Sequence, residues 1–493
     1  MYASPRALPG ARQPMNAMIP LPDGLVAIVK KDCPTCRLVE PVLRAIGPAA
    51  VCTQDDPGYP AGMPNVVDDT RLEHSYRLNI DTVPTLVRMK NGREVSRVVG
   101  WERDEWRRFT GIATLGSELP PFQPGCGALN TMPGMRERLM LRFGDLQFAS
   151  RLIEVPEEDD PLEAAYDRGW TDGLPVALPT DLRIARMLSG TTREPGELVG
   201  LVPPNFAPCT VEKAAINAVM AGCRPEYFPV VLATLEAALE PLFSMHGLLC
   251  TTYFSGPLVI VNGPITRRIG MNSGVNALGQ GNRANASIGR ALQLIVRNVG
   301  GGLPGGIDRA ALGNPGKYTF CFAEDESDPE WVPLAAARGL APGTNAVTLF
   351  HADGVTGLCD QKSRTPEELT RSLALGLFGV THPKLCRWGN AVLVLSPDHY
   401  TIFRNAGWRR AEIESALLEA LMRPGRDLVI GAQGIGEGID PALAGEQVPK
   451  FHDGGLLVAR AGGKAGLFSA IIGGWTGGRL KDEVRPVTKE IRT

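Results

Sequence analysis

Long apolar runs are missing from this chain. No uninterrupted hydrophobic stretch in its 493 residues approaches the roughly 20 apolar residues that a spanning helix needs, so no membrane partner is expected. A charge excess of one sign is missing too. The 51 basic and 53 acidic side chains leave a net charge of −2, which gives no electrostatic footprint for nucleic acid. Histidine is scarce, with 6 in the chain, and neither a close His pair nor a second Cys-x-x-Cys accompanies the one at Cys33 and Cys36. A structural zinc site built on that pair lacks its other half, so no metal and no cofactor is expected. The start, Met1 to Pro20, holds two Arg and four Pro and no apolar core of a secretory signal. Residues 1–21 read as a disordered leader, with Met15 and Met18 as alternative starts, and the protein as cytoplasmic. In that compartment the ten cysteines are expected to be reduced apart from catalytic ones.

What the chain does have is a short apolar run, Val26 to Val29, that ends in Lys30-Lys31-Asp32-Cys33-Pro34-Thr35-Cys36. The run reads as a buried strand. Leu38, Val42, Leu43 and Ile46 then recur at helical spacing, which puts the cysteine pair at a strand-to-helix turn. A helix start favours an anion, and Lys30 and Lys31 add positive charge, so Cys33 is expected to be an exposed thiol of lowered pKa. Cys36, one turn inward, is placed to resolve a mixed disulfide. Further on, Asp81-Thr82-Val83-Pro84-Thr85 leads into a strand, and Asn91-Gly92 has the chemistry of a tight hairpin turn.

These pieces together resemble the thioredoxin superfamily. Pro41 lies where that family kinks its first long helix, and the resemblance implies that Pro84 is cis and faces the cysteine pair. It also implies a thioredoxin-like fold over residues 22–118. Two departures stand out. Asp32 replaces the aromatic residue that precedes the first cysteine in thioredoxins, and Ala27 stands where they place a buried acid. Both point to a dedicated reductant rather than a general-purpose one.

Residues 119–168 follow as a Pro- and Gly-containing linker with a helical connector. Its cysteine, Cys126, sits between Gly125 and Gly127 and is expected to be an accessible thiol that carries exchange between the two halves of the chain. From residue 169 to 493 strands alternate with helices, the pattern of a larger mixed α/β domain built as one body or as two subdomains. The strands are expected at Leu258–Asn262, Tyr318–Ala323, Ala346–His351, Ala391–Ser396 and Leu456–Ala459. The Gly- and Asn-rich loop before the helix at Ala286–Val299 offers Asn282, Arg283 and Asn285 as binders of a carboxylate or phosphate. Equally, its Gly and Asn could serve only the turns of the loop. Lys317 opens a segment that ends in acids, where Glu324 and Glu326 are candidate general bases or ligands. This second part resembles an uncharacterised family that accompanies thioredoxin-like and UGSC-motif proteins, a resemblance that implies a redox context and no particular reaction.

The expected function is thus a thiol–disulfide oxidoreductase whose Cys-x-x-Cys domain reduces a fused α/β domain acting on a small, anionic substrate. The alternative is a redox-active binding protein whose second part recognises a partner protein. The partner is therefore a small molecule or a thiol–disulfide protein, and the sequence specifies no oligomeric state.

Overall fold

The computed structural model describes residues 2–4, 20–156, 158–387, 389–464, 466–475 and 484–492. Most of the leader expected at residues 1–21 lies outside them. The chain divides into two units, one of residues Ala7–Gln147 and one of Phe148–Thr493 with Met1–Arg6. Both are mixed α/β.

The first unit is organised on strand β1 (Gly24–Val29), whose Val26, Ala27, Ile28 and Val29 are all fully buried. Burial on both faces is the position of a central strand, and β1 does lie at the centre. In chain order there follow α1 (Pro34–Leu38), α2 (Glu40–Ile46), β2 (Ala50–Thr53), β3 (Val66–Asp68) and α3 (Glu73–Arg77). After them come β4 (Thr82–Val83), β5 (Thr85–Lys90), β6 (Arg93–Val99), α4 (Arg103–Thr110) and β7 (Cys126–Gly127). The main sheet has the order β3-β2-β1-β5-β6. β1, β2 and β3 are parallel, and β5 runs antiparallel to both β1 and β6. The β5–β6 hairpin turns at Asn91-Gly92, both with positive φ, which is why the turn needs those residue types.

The Pro- and Gly-rich stretch read as a linker is instead built into this unit through residue 147. β7 pairs antiparallel with β4, Cys126 opposite Val83. Next to it the Ala128 amide donates to the Asp81 carbonyl, and Gln54 and Asn130 bind each other and the neighbouring backbone. Gly125 is what the close pass requires. A Cβ there would lie 2.3 Å from Thr82 Cγ2 and 2.8 Å from the Val83 carbonyl oxygen.

The second unit holds a seven-stranded sheet. Its elements in chain order are α5 (Val211–Met220), β8 (Gly256–Asn262), α6 (Arg283–Asn298), β9 (Cys321–Ala323) and β10 (Ala346–Cys359). β11 (Gly389–Leu395), β12 (Phe451–Arg460), β13 (Phe468–Gly474) and β14 (Val487–Glu490) complete it. The sheet order is β9-β8-β10-β13-β11-β12, with β14 also on β10. Alternate residues of β11 enter different cores, Ala391, Leu393 and Leu395 one and Val392 and Val394 the other, so both faces of the sheet are covered. The strand expected at Tyr318–Ala323 is shorter, because Lys317 and Tyr318 close a turn begun by Asn314. β13 and β14 were not expected at all. No single helix among the described residues is long and apolar enough to cross a membrane.

Candidate functional site

β1 delivers the chain to a tight turn whose amides are fixed by one carboxylate. Asp55 accepts from the Lys31 and Asp32 N–H groups at 2.7 and 2.8 Å. Pro34 occupies the first turn of α1, where its missing N–H costs nothing, and Cys33 caps the helix: its Sγ accepts from the Cys36 N–H at 3.3 Å. The same sulfur lies 3.5 Å from the Val83 carbonyl oxygen. The Val83–Pro84 bond that follows is cis, and the Val83 contact puts this loop beside Cys33.

The Cys36 and Cys126 thiols also act on the Cys33 sulfur. The Cys36 contact is the largest influence on it. Burial opposes, while Cys126 and the amides of Cys36 and Thr35 add to the lowering, and the thiol is held at about 5. Cys36 behaves oppositely: burial first, then the neighbouring Cys33 sulfur, push it far up. Burial and Cys33 also raise the Cys126 thiol, against the pull of the Lys30 charge.

Three expectations are corrected here. Cys33 is not exposed but fully buried, because the strand β7 and the Pro84 loop cover it. The lysines are not what lowers its pKa either. Lys31 pairs with Asp56 at 2.6 Å, and Lys30 donates to the Gly127 carbonyl at 2.9 Å. Cys126, expected as a loose linker thiol, is half-buried and belongs to a strand. Around the turn, Lys31, Asp32, Arg37, Asp55, Asp56 and Pro57 line an open pocket of about 450 Å³.

Sequence reasoning passed over Tyr59, which lay in what read as a plain turn-rich loop. It packs in the same core cluster as Cys33 and Cys36. Its buried hydroxyl has no hydrogen-bond partner among the described residues, and burial, then the electrostatic influence of Cys36, raises its pKa.

In the second unit the structure does not bring the expected binding residues together as one site. Asn282 caps α6, accepting from the Asn285 N–H at 3.0 Å and donating to the Gly270 carbonyl at 2.8 Å. Asn285 accepts from the Asn272 amide and donates to the carbonyls of Asn272 and Ala277. Arg283 donates to the Gly222 carbonyl at 2.8 Å, and Arg290 pairs with Asp172 through both carboxylate oxygens. The loop therefore uses its own polar side chains to hold its own backbone. Lys317 is elsewhere, paired with Asp308 at 2.8 Å.

Glu324 and Glu326 do meet, sharing the Asn262 amide at 2.6 and 2.8 Å. Glu324 is buried and further accepts from Trp331, the Leu334 amide and Arg410. Burial raises its carboxyl, with the Arg410 charge as the main opposing pull. This is a closed ion pair under the sheet edge, with its acceptor sites filled. A half-buried carboxylate, Asp353, gave no signal in the sequence. It accepts from Tyr253 at 2.9 Å and from Ser255, and burial raises its pKa.

Among the described residues no group of three or more His, Cys, Asp or Glu side chains is arranged to hold a metal ion. Compared with known proteins, the chain matches no family model, no curated protein and no solved structure.

Proposed function

We propose that the first unit is a thioredoxin-like module that carries out thiol–disulfide exchange, with Cys33 as the attacking thiol. The observation that supports this best is the setting of the Cys33 sulfur: it accepts a hydrogen bond from the Cys36 amide at the start of α1, and with the Cys36 and Cys126 thiols acting on it, it is held at about 5. Such a sulfur is a thiolate near neutral pH, the form that attacks disulfides. The strand–turn–helix setting of the pair and the cis Val83–Pro84 loop beside it agree with the thioredoxin-like resemblance.

In the proposed cycle the Cys33 thiolate attacks a disulfide R–S–S–R′. The Cys33–S–R bond forms as the S–S bond of the substrate breaks, and R′–S⁻ leaves and takes a proton. Cys36 then attacks the Cys33 sulfur, expels R–S⁻, and the two electrons of the dithiol have reduced the substrate to two thiols. Ala27, buried where a proton-accepting acid would stand in thioredoxins, leaves the deprotonation of Cys36 without a carboxylate. Resolution through Cys36 is accordingly the slow step. The acceptor is a disulfide-bearing small molecule or protein able to reach a buried sulfur.

The test uses the full chain, reduced, with bis(2-hydroxyethyl) disulfide at pH 6. Exchange is expected to proceed through an adduct on Cys33 and to be lost in Cys33→Ser. A Cys33→Ser protein that exchanges at the unmodified rate would refute the proposal.

A further inference from the structure

The cysteine pair has a third member that a dithiol mechanism leaves without a task. Cys126 reaches Cys33 because β7 pairs with β4, which sets Cys126 opposite Val83, and the Val83 carbonyl oxygen is the one that lies 3.5 Å from Cys33 Sγ. The contact is also fastened from the Cys33 side. Thr35 Oγ1 donates to the Pro124 carbonyl at 2.6 Å, and Lys30 Nζ donates to the Gly127 carbonyl at 2.9 Å. The residues before and after Cys126 are thus held by side chains that flank Cys33, and Gly125 lets the strand pass against Thr82 and Val83. Three independent anchors position one sulfur against another.

Building on the exchange reading above, we propose that Cys126 is a second resolving thiol, which attacks the mixed disulfide on Cys33 and forms a Cys33–Cys126 disulfide. The step balances without any further reagent. With Cys33–S–S–R in place, the Cys126 sulfur bonds to the Cys33 sulfur, the bond to R breaks, and R–S⁻ leaves with the proton that Cys126 gives up. The substrate disulfide is the oxidant and the Cys33/Cys126 dithiol the reductant. Cys36 remains a thiol, and it can later attack Cys33 in turn, releasing Cys126 as a thiol and leaving the Cys33–Cys36 disulfide.

Cys126 has two advantages as the first resolver. Cys36 is fully buried, whereas Cys126 is half-buried, so the thiolate that attack requires is less penalised by loss of water at Cys126. The Lys30 charge favours that thiolate further. The unit would thereby hold its oxidising equivalents in either of two disulfides, one in the core and one nearer the surface, where a second thiol can reach it.

The experiment exposes the reduced full chain to bis(2-hydroxyethyl) disulfide and maps its disulfides over time by peptide mass spectrometry without reductant. In Cys36→Ala the adduct on Cys33 is expected to convert into a Cys33–Cys126 link. Its lifetime should be at least about tenfold shorter than in Cys36→Ala/Cys126→Ala, the difference made by an adjacent attacking thiol. An adduct that persists in Cys36→Ala as long as in the double variant, with Cys126 free, overturns the inference. Because Cys36 is a core residue, the unmodified chain under substoichiometric disulfide is mapped in parallel. There a Cys33–Cys126 peptide early in the time course supports the inference, and Cys33–Cys36 as the sole link at every time point overturns it. Failure of the underlying reading looks different: a Cys33 that takes up no adduct in any of these proteins removes the exchange function itself.

Discussion

The Cys33 thiol, held at about 5, makes a quantitative demand on alkylation kinetics. An unperturbed thiol has a pKa of about 8.5, so at pH 6 only about 0.3% of it is thiolate, against about 90% of Cys33. That is a ratio of roughly 300. A thiolate of lower basicity is also a poorer nucleophile, and with a Brønsted slope of about 0.45 the difference of about 3.5 units slows Cys33 by roughly 40-fold. From ionisation and basicity alone, before burial is counted, Cys33 would react with iodoacetamide about sevenfold faster than a reference thiol of ordinary pKa at pH 6 and about tenfold slower at pH 8. The curves cross near pH 7. Burial of the sulfur lowers the whole Cys33 curve without moving its midpoint, so the shape is the diagnostic: a rise through about pH 5 and then a plateau. Replacing Cys36 by Ala removes the largest stabiliser of the thiolate and is expected to move the midpoint upward, leaving the contribution of Cys126. Linkage gives the same sign. A folded-state value below the unfolded one makes Cys33 stabilising above the unfolded value, and that contribution is lost as the pH falls through about 5. A Cys33 rate that climbs about tenfold per pH unit between pH 5 and 8, as an ordinary thiol does, would refute the reasoning.

Other perturbations read the packing around the two sites. Gly125→Ala is expected to cost about 1–3 kcal/mol by overpacking against Thr82 and Val83 and to raise the Cys33 midpoint by loosening Cys126; urea unfolding unchanged within error would contradict the close pass. Glu324→Gln removes the buried partner of Arg410 at 2.9 Å and should lower stability to guanidinium by at least about 2 kcal/mol, whereas a neutral substitution would mean that the pair is open to water. Asn285→Ala leaves the Asn272 amide and the Asn272 and Ala277 carbonyls without their partner, a loss of about 2–3 kcal/mol. Thermal unfolding measures it, and an unaltered midpoint would return that loop to the list of ligand sites.

Much of the scaffold was legible because its residues obey one rule at a time. Val26 to Val29 is apolar throughout and lies at the centre of its sheet, and Asn91-Gly92 can hardly be other than the turn it is. Elements vanished from view where glycine diluted the pattern. β13 ends in Gly473 and Gly474, and a Cβ on Gly474 would lie 2.3 Å from the His351 carbonyl oxygen and 2.5 Å from Asn390 Oδ1. Packing forces glycine there, at the expense of the β-branched residues by which a strand is recognised. Cys126 was misplaced for a related reason: Pro124, Gly125 and Gly127 have the composition of a flexible linker, and only the pairing of β7 with β4 shows that they serve a close approach.

The candidate sites divide along a physical line that composition does not mark. Gly, Asn and Arg before a helix suit an anion, because free N–H groups and a positive charge await one. They suit equally a loop that must satisfy its own backbone, and Asn282, Asn285 and Arg283 take that second course with carbonyls and amides from residues 222 to 285. Among the cysteines, the Cys33 thiol caps α1 by accepting from the Cys36 amide, a duty that does not call for the other two. A sulfur is a weak hydrogen-bond partner, so three of them converging at Cys33, Cys36 and Cys126 are poorly explained by packing or by capping alone. What distinguishes a reactive cluster from a structural one here is the opposition within it: one sulfur lowered, its buried neighbour raised, and a third less buried and bracketed by Thr35 and Lys30. The division of attacking and resolving roles proposed above would arise from depth in the fold, and two Cys at a spacing of three could not have expressed it without the distant strand that carries the third.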